Sequence, residues 1–155
     1  MKTCLVGCGG IAAVHGSVLT SGIDTEFVAA ADIKLEKAQS YAENFHTKPY
    51  PSLESMLEAE KPDVLHICTP HYLHVPMAIY SLERNINVFM EKPPAISFDQ
   101  LEELKKAAAK SDAQLGFCYQ NRYNASIRAA KDLIDSGKSG KVLGARAFVT
   151  WCRGA

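Results

Sequence analysis

The chain has 155 residues, 47% apolar and 22% charged, with Lys plus Arg and Asp plus Glu at 17 each. That is the composition of a soluble globular protein large enough for a real core, and the even charge, without a basic stripe carrying interleaved aromatics, excludes a nucleic-acid surface. No apolar run approaches the roughly 18 residues of a membrane span, and the five cysteines, odd in number, read as reduced thiols of a cytoplasmic protein.

Residues 2–6 are expected as the first strand. A charge followed by apolar residues also opens a signal peptide, but this apolar part is far too short and glycines interrupt it. Gly7-Cys8-Gly9-Gly10 follows, then a helix over 11–20. The second strand spans 27–31 and ends at Asp32; the next helix places Leu35, Ala38, Ala42 and Phe45 on one face. Tyr50 marks a very short third strand, and Ser52 is the expected N-cap of a helix over 53–59. A fourth strand over 64–68 is broken by Thr69-Pro70 before a helix near 76–84. The fifth strand is expected at 86–90. Ser97-Phe98-Asp99-Gln100 has capping-box spacing for a helix to Lys110, and the sixth strand follows at 114–119.

Strands alternating with helices predict an α/β fold, a Rossmann-type doubly wound parallel sheet over residues 1–120. The pattern then changes. Residues 124–136 read as a helix with Ile127, Leu133 and Ile134 inward, closed by Gly137, and 142–151 as a long strand. A last strand with no successor would be an unpaired edge, so 121–155 is expected to be the first helix and strand of a truncated second domain.

Three motifs carry chemistry. Gly7-x-Gly9-x-x-Ala12, with Gly10 and Ile11 opening the helix, has the form of a dinucleotide loop: a tight turn, a close backbone approach for pyrophosphate, and a small residue for helix–strand packing. The helix N-terminus adds N–H donors and the positive end of its dipole. Asp32, about twenty residues on, has the spacing of a ribose 2′-hydroxyl acceptor. Its charge repels a 2′-phosphate and favours NAD, while nearby Lys34 keeps NADP open. Cys8 reads as a small loop residue rather than a reactive thiol, although a helix N-terminus lowers thiol pKa.

The second motif, Cys68-Thr69-Pro70-His71-Tyr72-Leu73-His74, contains a C-x2-H-x2-H string, but its spacing departs from common structural-zinc patterns and no second ligand pair follows, so no metal is expected. Thr69 and Pro70 are expected to line the same cleft as the glycine loop. His74, in the first turn of the next helix, can cap, contact ligand or simply pack. His15 and His66 read as packing residues, and His46 lies in a loop.

The third motif is Glu91-Lys92-Pro93-Pro94, a charged pair where an apolar strand ends. Such a pair must be partnered or face a cleft, and in open α/β sheets ligands bind at the carboxyl ends of the strands. Lys92 is a catalytic candidate, with a structural ion pair to Glu91 as the other reading. The prolines stiffen the turn, and one preceding peptide bond can be cis.

In order and spacing, the Gly7–Ala12 loop, Asp32, Thr69-Pro70 with His74, and Glu91-Lys92-Pro93 resemble the Gfo/Idh/MocA oxidoreductases. Gln120-Asn121-Arg122-Tyr123 and Gly140-Lys141-Val142-Leu143-Gly144 are similar to that family's entry into its second domain. The resemblance implies an N-terminal Rossmann domain, a C-terminal α/β domain with a large sheet, NAD(H) or NADP(H), and oxidation of a sugar or cyclitol hydroxyl. It implies cofactor contacts from Gly7, Gly9, Gly10, Ile11, Asp32, Thr69, Pro70, His74, Glu91, Lys92 and Gln120, with Lys92 beside the reacting hydroxyl. Where the family usually has asparagine after Thr-Pro, this chain has His71.

The family's Asp/His catalytic pair falls beyond Ala155, so the chain is expected to bind cofactor with little turnover, and any homo-oligomer is expected through the second domain. Two other readings stay open. One is a non-catalytic nucleotide sensor. The other is a relative cycling bound NAD transiently, as an epimerase or glycosidase would.

Overall fold

Short runs rich in small, β-branched and aromatic residues form six strands: β1 (Lys2–Val6), β2 (Glu26–Ala31), β3 (Lys48–Tyr50), β4 (Val64–Ile67), β5 (Asn87–Glu91) and β6 (Leu115–Cys118). All pair in parallel, in the order β3-β2-β1-β4-β5-β6. The computed structural model describes residues 1–21 and 24–148. Its helices are α1 (Gly10–Leu19), α2 (Leu35–Phe45), α3 (Leu53–Glu60), α4 (His74–Leu82), α5 (Phe98–Lys110) and α6 (Ala125–Asp135). The chain forms two compact units, residues 1–118 and 119–155. Among the described residues no helix is long and apolar enough to cross a membrane.

This is the Rossmann order, in which the sheet reverses direction between β1 and β4 and leaves a crevice at their carboxyl ends. Both faces of the central strands are covered. On one, Cys4, Val6, Leu65, Ile67, Val88 and Met90 pack with Leu53, Met56, Leu82 and Leu104 from α3, α4 and α5. On the other, Leu5 and Ala30 pack with Ala12 of α1 and Tyr41 of α2. The same face continues across the register Leu5–His66–Phe89, so a histidine stands in a row that is otherwise apolar.

The helix starts follow local chemistry. Ser52 and Ser97 cap α3 and α5 by accepting from the N–H groups of Ser55 and Gln100, as their spacing predicts. Gln100 reaches back to the Ile96 N–H rather than to that of the cap residue. α4 begins at His74, two residues earlier than expected, after a 3-10 turn over His71–Leu73; Pro76 still falls within the first turn, where a missing N–H costs little. β5 is displaced one residue towards its carboxyl end, because Asn85 turns with φ +55° and the Ile86 N–H bonds back to Ser81. Glu91 therefore lies within the ladder, opposite Cys118.

In the second unit, a 3-10 turn over Gln120–Tyr123 leads to α6, capped by Asn124. Ile127, Leu133 and Ile134, expected inward, are exposed; the apolar stripe forms as the helical period requires, but no described element covers it. Residues 142–148 of the expected final strand are not strand, having no ladder partner to satisfy their backbone, and 149–151 lie outside the described residues.

Candidate functional site: the crevice at the carboxyl edge of the sheet

Gly7 joins β1 to the loop with φ +92°, and a Cβ there would stand 2.7 Å from Thr69 N and 2.8 Å from the Cys68 carbonyl carbon. The glycine is needed twice over, for its dihedral and for the contact between the loop and the end of β4. Gly9 is the N-cap of α1, with no side-chain cap, and nothing lies within 4 Å of where its Cβ would be. The start of α1 thus presents backbone donors to open space, as an anion site requires. Ala12 is completely buried beneath it.

The Asp32 carboxylate is fixed by backbone: Oδ2 accepts from Cys8 N–H at 2.9 Å and Oδ1 from Lys34 N–H at 2.9 Å. Each oxygen keeps a second lone pair, so the group is oriented yet still able to accept from a ligand. Burial and the neighbouring Asp32 charge push the Cys8 thiol up to about 12, which leaves it protonated and in keeping with an inert loop residue.

Gly7, Gly9, Asp32, Thr69 and Pro70 line one cleft of about 380 Å³, within the range of small-molecule sites. Ile33, Lys34, Lys37 and Ser52 line it too, and these were not foreseen as a set. Their common signal is position: each sits just past the carboxyl end of β2 or β3.

His74 stands in the first turn of α4, as expected, and of its open roles it takes the packing one. Its side chain is completely buried, with Nδ1 2.8 Å from the Pro93 carbonyl and Nε2 2.9 Å from the Thr69 carbonyl. It braces the end of β4 against the Lys92–Pro93 turn, whose peptide bond is cis, and offers no ring edge to a ligand.

Glu91 and Lys92 separate. Lys92 is exposed and takes part in none of the ion pairs among the described residues. Glu91 is buried and bonds not to the lysine ammonium but to His15, at 3.1 Å, and to the Lys92 backbone N–H, at 3.2 Å. The structural Glu91–Lys92 ion pair does not form. Burial pushes the Glu91 carboxyl up, but hydrogen bonds from His15, Cys118 and the Lys92 N–H outweigh it and leave it below its ordinary value. Behind it, His15 Nδ1 lies 3.0 Å from His66 Nδ1. Burial, with His15 adding to it, lowers His66 to about 4.

Sequence reasoning took both histidines as packing residues. A polar residue on the buried stripe of α1, beside Ala12, Gly16 and Leu19, was the available signal. Gln120 belongs to the second unit.

The family model described as the oxidoreductase family with an NAD-binding Rossmann fold, Gfo/Idh/MocA, matches residues 1–119. D-glucoside 3-dehydrogenase of Escherichia coli is 29% identical over 144 residues, covering 92% of this chain and 41% of the relative. Among solved structures, the WlbA dehydrogenase of Chromobacterium violaceum, in complex with NADH and UDP-GlcNAcA, superposes with TM-score 0.87 at 30% identity, covering 90% of this chain and 41% of that one. The myo-inositol dehydrogenase of Lactobacillus casei, in complex with NAD(H) and myo-inositol, gives 0.83 at 26%, covering 88% and 42%. The chain thus spans about two fifths of the length of these relatives. Sheet order, glycine loop and family match agree: the chain belongs to the Gfo/Idh/MocA oxidoreductases and comprises their NAD-binding Rossmann domain.

Proposed function

We propose that the carboxyl-edge cleft holds NAD(H), and that in the full-length protein Lys92 faces a sugar or cyclitol hydroxyl being oxidised to a ketone. The observation that carries the reading is the Asp32 carboxylate, clamped by the Cys8 and Lys34 amides at the mouth of a loop whose helix N-terminus is open. The N–H groups at the start of α1 receive the pyrophosphate, and the unused lone pairs of Asp32 accept from the adenosine ribose hydroxyls. A 2′-phosphate would meet the same carboxylate, so NAD is the preferred form, while Lys34 and Lys37 on the same cleft leave weaker NADP binding.

When bound, the nicotinamide supplies hydride acceptance. The chain's contribution is then Lys92: an exposed ammonium lowers the cost of charge developing on the hydroxyl oxygen and, by releasing a proton to water while taking up the hydroxyl proton, relays it. A ketone product, small polar substrates, a cytoplasmic setting and assembly through the second domain belong to the same reading.

Calorimetric titration of the chain with NAD and NADP tests the first half. The reading expects saturable NAD binding, at least about tenfold weaker in Asp32→Ala, and no binding of either dinucleotide overturns it. Lys92→Ala in the full-length protein tests the second half. It should lose most of kcat while keeping NAD affinity; an unchanged kcat removes Lys92 from the chemistry.

A further inference from the structure

We propose that His66 and His15 form a hydrogen-bond chain that ends on the Glu91 carboxylate, which also accepts from the Lys92 peptide N–H, making His15 a positioning residue for the Lys92 side chain. The proposal rests on the reading of Lys92 as the edge of the reaction site, and it assigns work to two histidines that this reading leaves unused.

The direction of the chain follows from what each atom can do. An ionised carboxylate only accepts, so the contact between Glu91 Oε1 and His15 Nε2, 3.1 Å, requires the proton on Nε2 of His15. The Glu91 Oε2 atom accepts from the Lys92 N–H at 3.2 Å, and Cys118 donates to the same carboxylate. His15 Nδ1 and His66 Nδ1 are 3.0 Å apart, which allows one proton between them. In a neutral His15 with its one proton on Nε2, Nδ1 accepts and His66 donates from Nδ1. The protons therefore run from His66 to His15 to Glu91 Oε1, and the Lys92 amide donates to the other oxygen of the same carboxylate.

Each link comes from a different element. His15 is on α1, His66 on β4, Glu91 on β5 and Cys118 on β6, so the chain ties the glycine-loop helix to the strand that delivers the lysine. His15 and Glu91 are both buried, and the His15 and His66 rings meet edge to face at 5.3 Å, with Phe89 against both. These contacts leave the imidazoles little rotational freedom. Without the His15 donor, Glu91 would keep a buried charge short of a partner, and the carboxylate would turn or take up a proton. The Lys92 amide would then lose its acceptor, on the opposite side of the turn from the brace at Pro93. Displacements of about 1 Å at a reacting group cost on the order of a hundredfold in rate.

His15, Glu91 and Cys118 also place ligand atoms within 4.8 Å of one another, which invites a metal reading. The hydrogen-bond chain and a metal make opposite demands on His15 Nε2, since a ligand nitrogen cannot carry a proton.

The test is made on the full-length protein with nitrogen-15 histidine. The expected spectrum shows His15 protonated at Nε2 and His66 at Nδ1, with both protons slow to exchange and unmoved by added zinc. Loss of the His15 Nε2 proton on adding zinc alone, or the opposite tautomers, overturns the proposal. Neither result depends on turnover, so this arm stands or falls apart from the dehydrogenase reading.

Kinetics form the second arm. His15→Leu should lower kcat roughly ten- to a hundredfold with KM for NAD within about twofold, and should speed exchange of the Lys92 amide. His15→Gln, whose amide nitrogen can stand near the imidazole Nε2, should recover most of both. Wild-type kcat and amide protection in His15→Leu refute the positioning role, as does a Gln variant no better than Leu. If His15→Leu fails to fold, the isosteric Glu91→Gln is used, and an unchanged kcat there is equally decisive.

Discussion

The sheet holds a buried carboxylate near each of its two ends, and the two are built differently. Near the amino-terminal edge, Glu60 at the end of α3 pairs with Lys2 at 3.0 Å and Lys48 at 2.9 Å, and accepts from the Tyr50 hydroxyl at 2.6 Å. With the Tyr50 hydrogen bond as the largest cause and Lys48 next, its carboxyl falls to about 2. At the carboxyl edge, Glu91 has no lysine or arginine in an ion pair with it among the described residues; its partners are an imidazole, a thiol and a backbone N–H. A charge closed off by fixed cations can only hold strands together. A charge held by an imidazole, a thiol and a backbone N–H, one residue from an exposed lysine, leaves that lysine unpaired among the described residues. The comparison teaches that burial of a carboxylate does not by itself mark function; the nature of its partners does.

The sharpest way to break the comparison is Glu60→Ala. It leaves Lys48 and the Tyr50 hydroxyl without their acceptor, Lys2 keeping only the Glu60 carbonyl, and should cost about 3 kcal/mol of stability in urea unfolding, with NAD affinity of the folded protein unchanged. A loss of NAD affinity without loss of stability would place Glu60 with the site.

The two ends should next separate by pH. His66 has a folded pKa lowered from 6.5 to about 4, so below pH 6.5 the unfolded chain binds the extra proton. Stability should fall as pH drops from about 6.5 to 4, by roughly 3 kcal/mol, and then level off. Glu60 is lowered from 4.5 to about 2, so its contribution is whole above pH 4.5 and is lost between there and about 2. Replacing His66 with Phe should erase the upper window alone, as read by unfolding at a series of pH values. A single merged transition in both proteins would deny that the two clusters titrate independently.

The smallest effect belongs to a residue of neither cluster. Ser97→Ala removes the α5 cap and should cost about 1 kcal/mol, with no change in NAD binding. That sets the scale against which the larger losses are read.

Much of the fold was legible because its signals are local. Alternating apolar runs, the serines before α3 and α5, and the Gly7 turn depend on residues within a few positions of one another. The errors fall where distant parts decide. The expected strand at 142–151 had an apolar pattern and no ladder; its described residues stayed irregular. For His74 packing was one of the readings left open, and the Pro93 and Thr69 carbonyls decided for it.

By itself, the sequence determined a dinucleotide-type α/β domain, expected over residues 1–120, with an aspartate and a lysine after its strands. The glycine dihedral, the strand period and the helix caps leave little alternative, since each is settled by short-range sterics and hydrogen bonding. Tertiary structure alone decided the partners of the charges. Glu91 is adjacent to Lys92 in the chain, yet it bonds to a histidine seventy-six positions away. Glu91 shares a face of β5 with Phe89, the face that meets His15 of α1, while Lys92, past the end of the strand, is exposed.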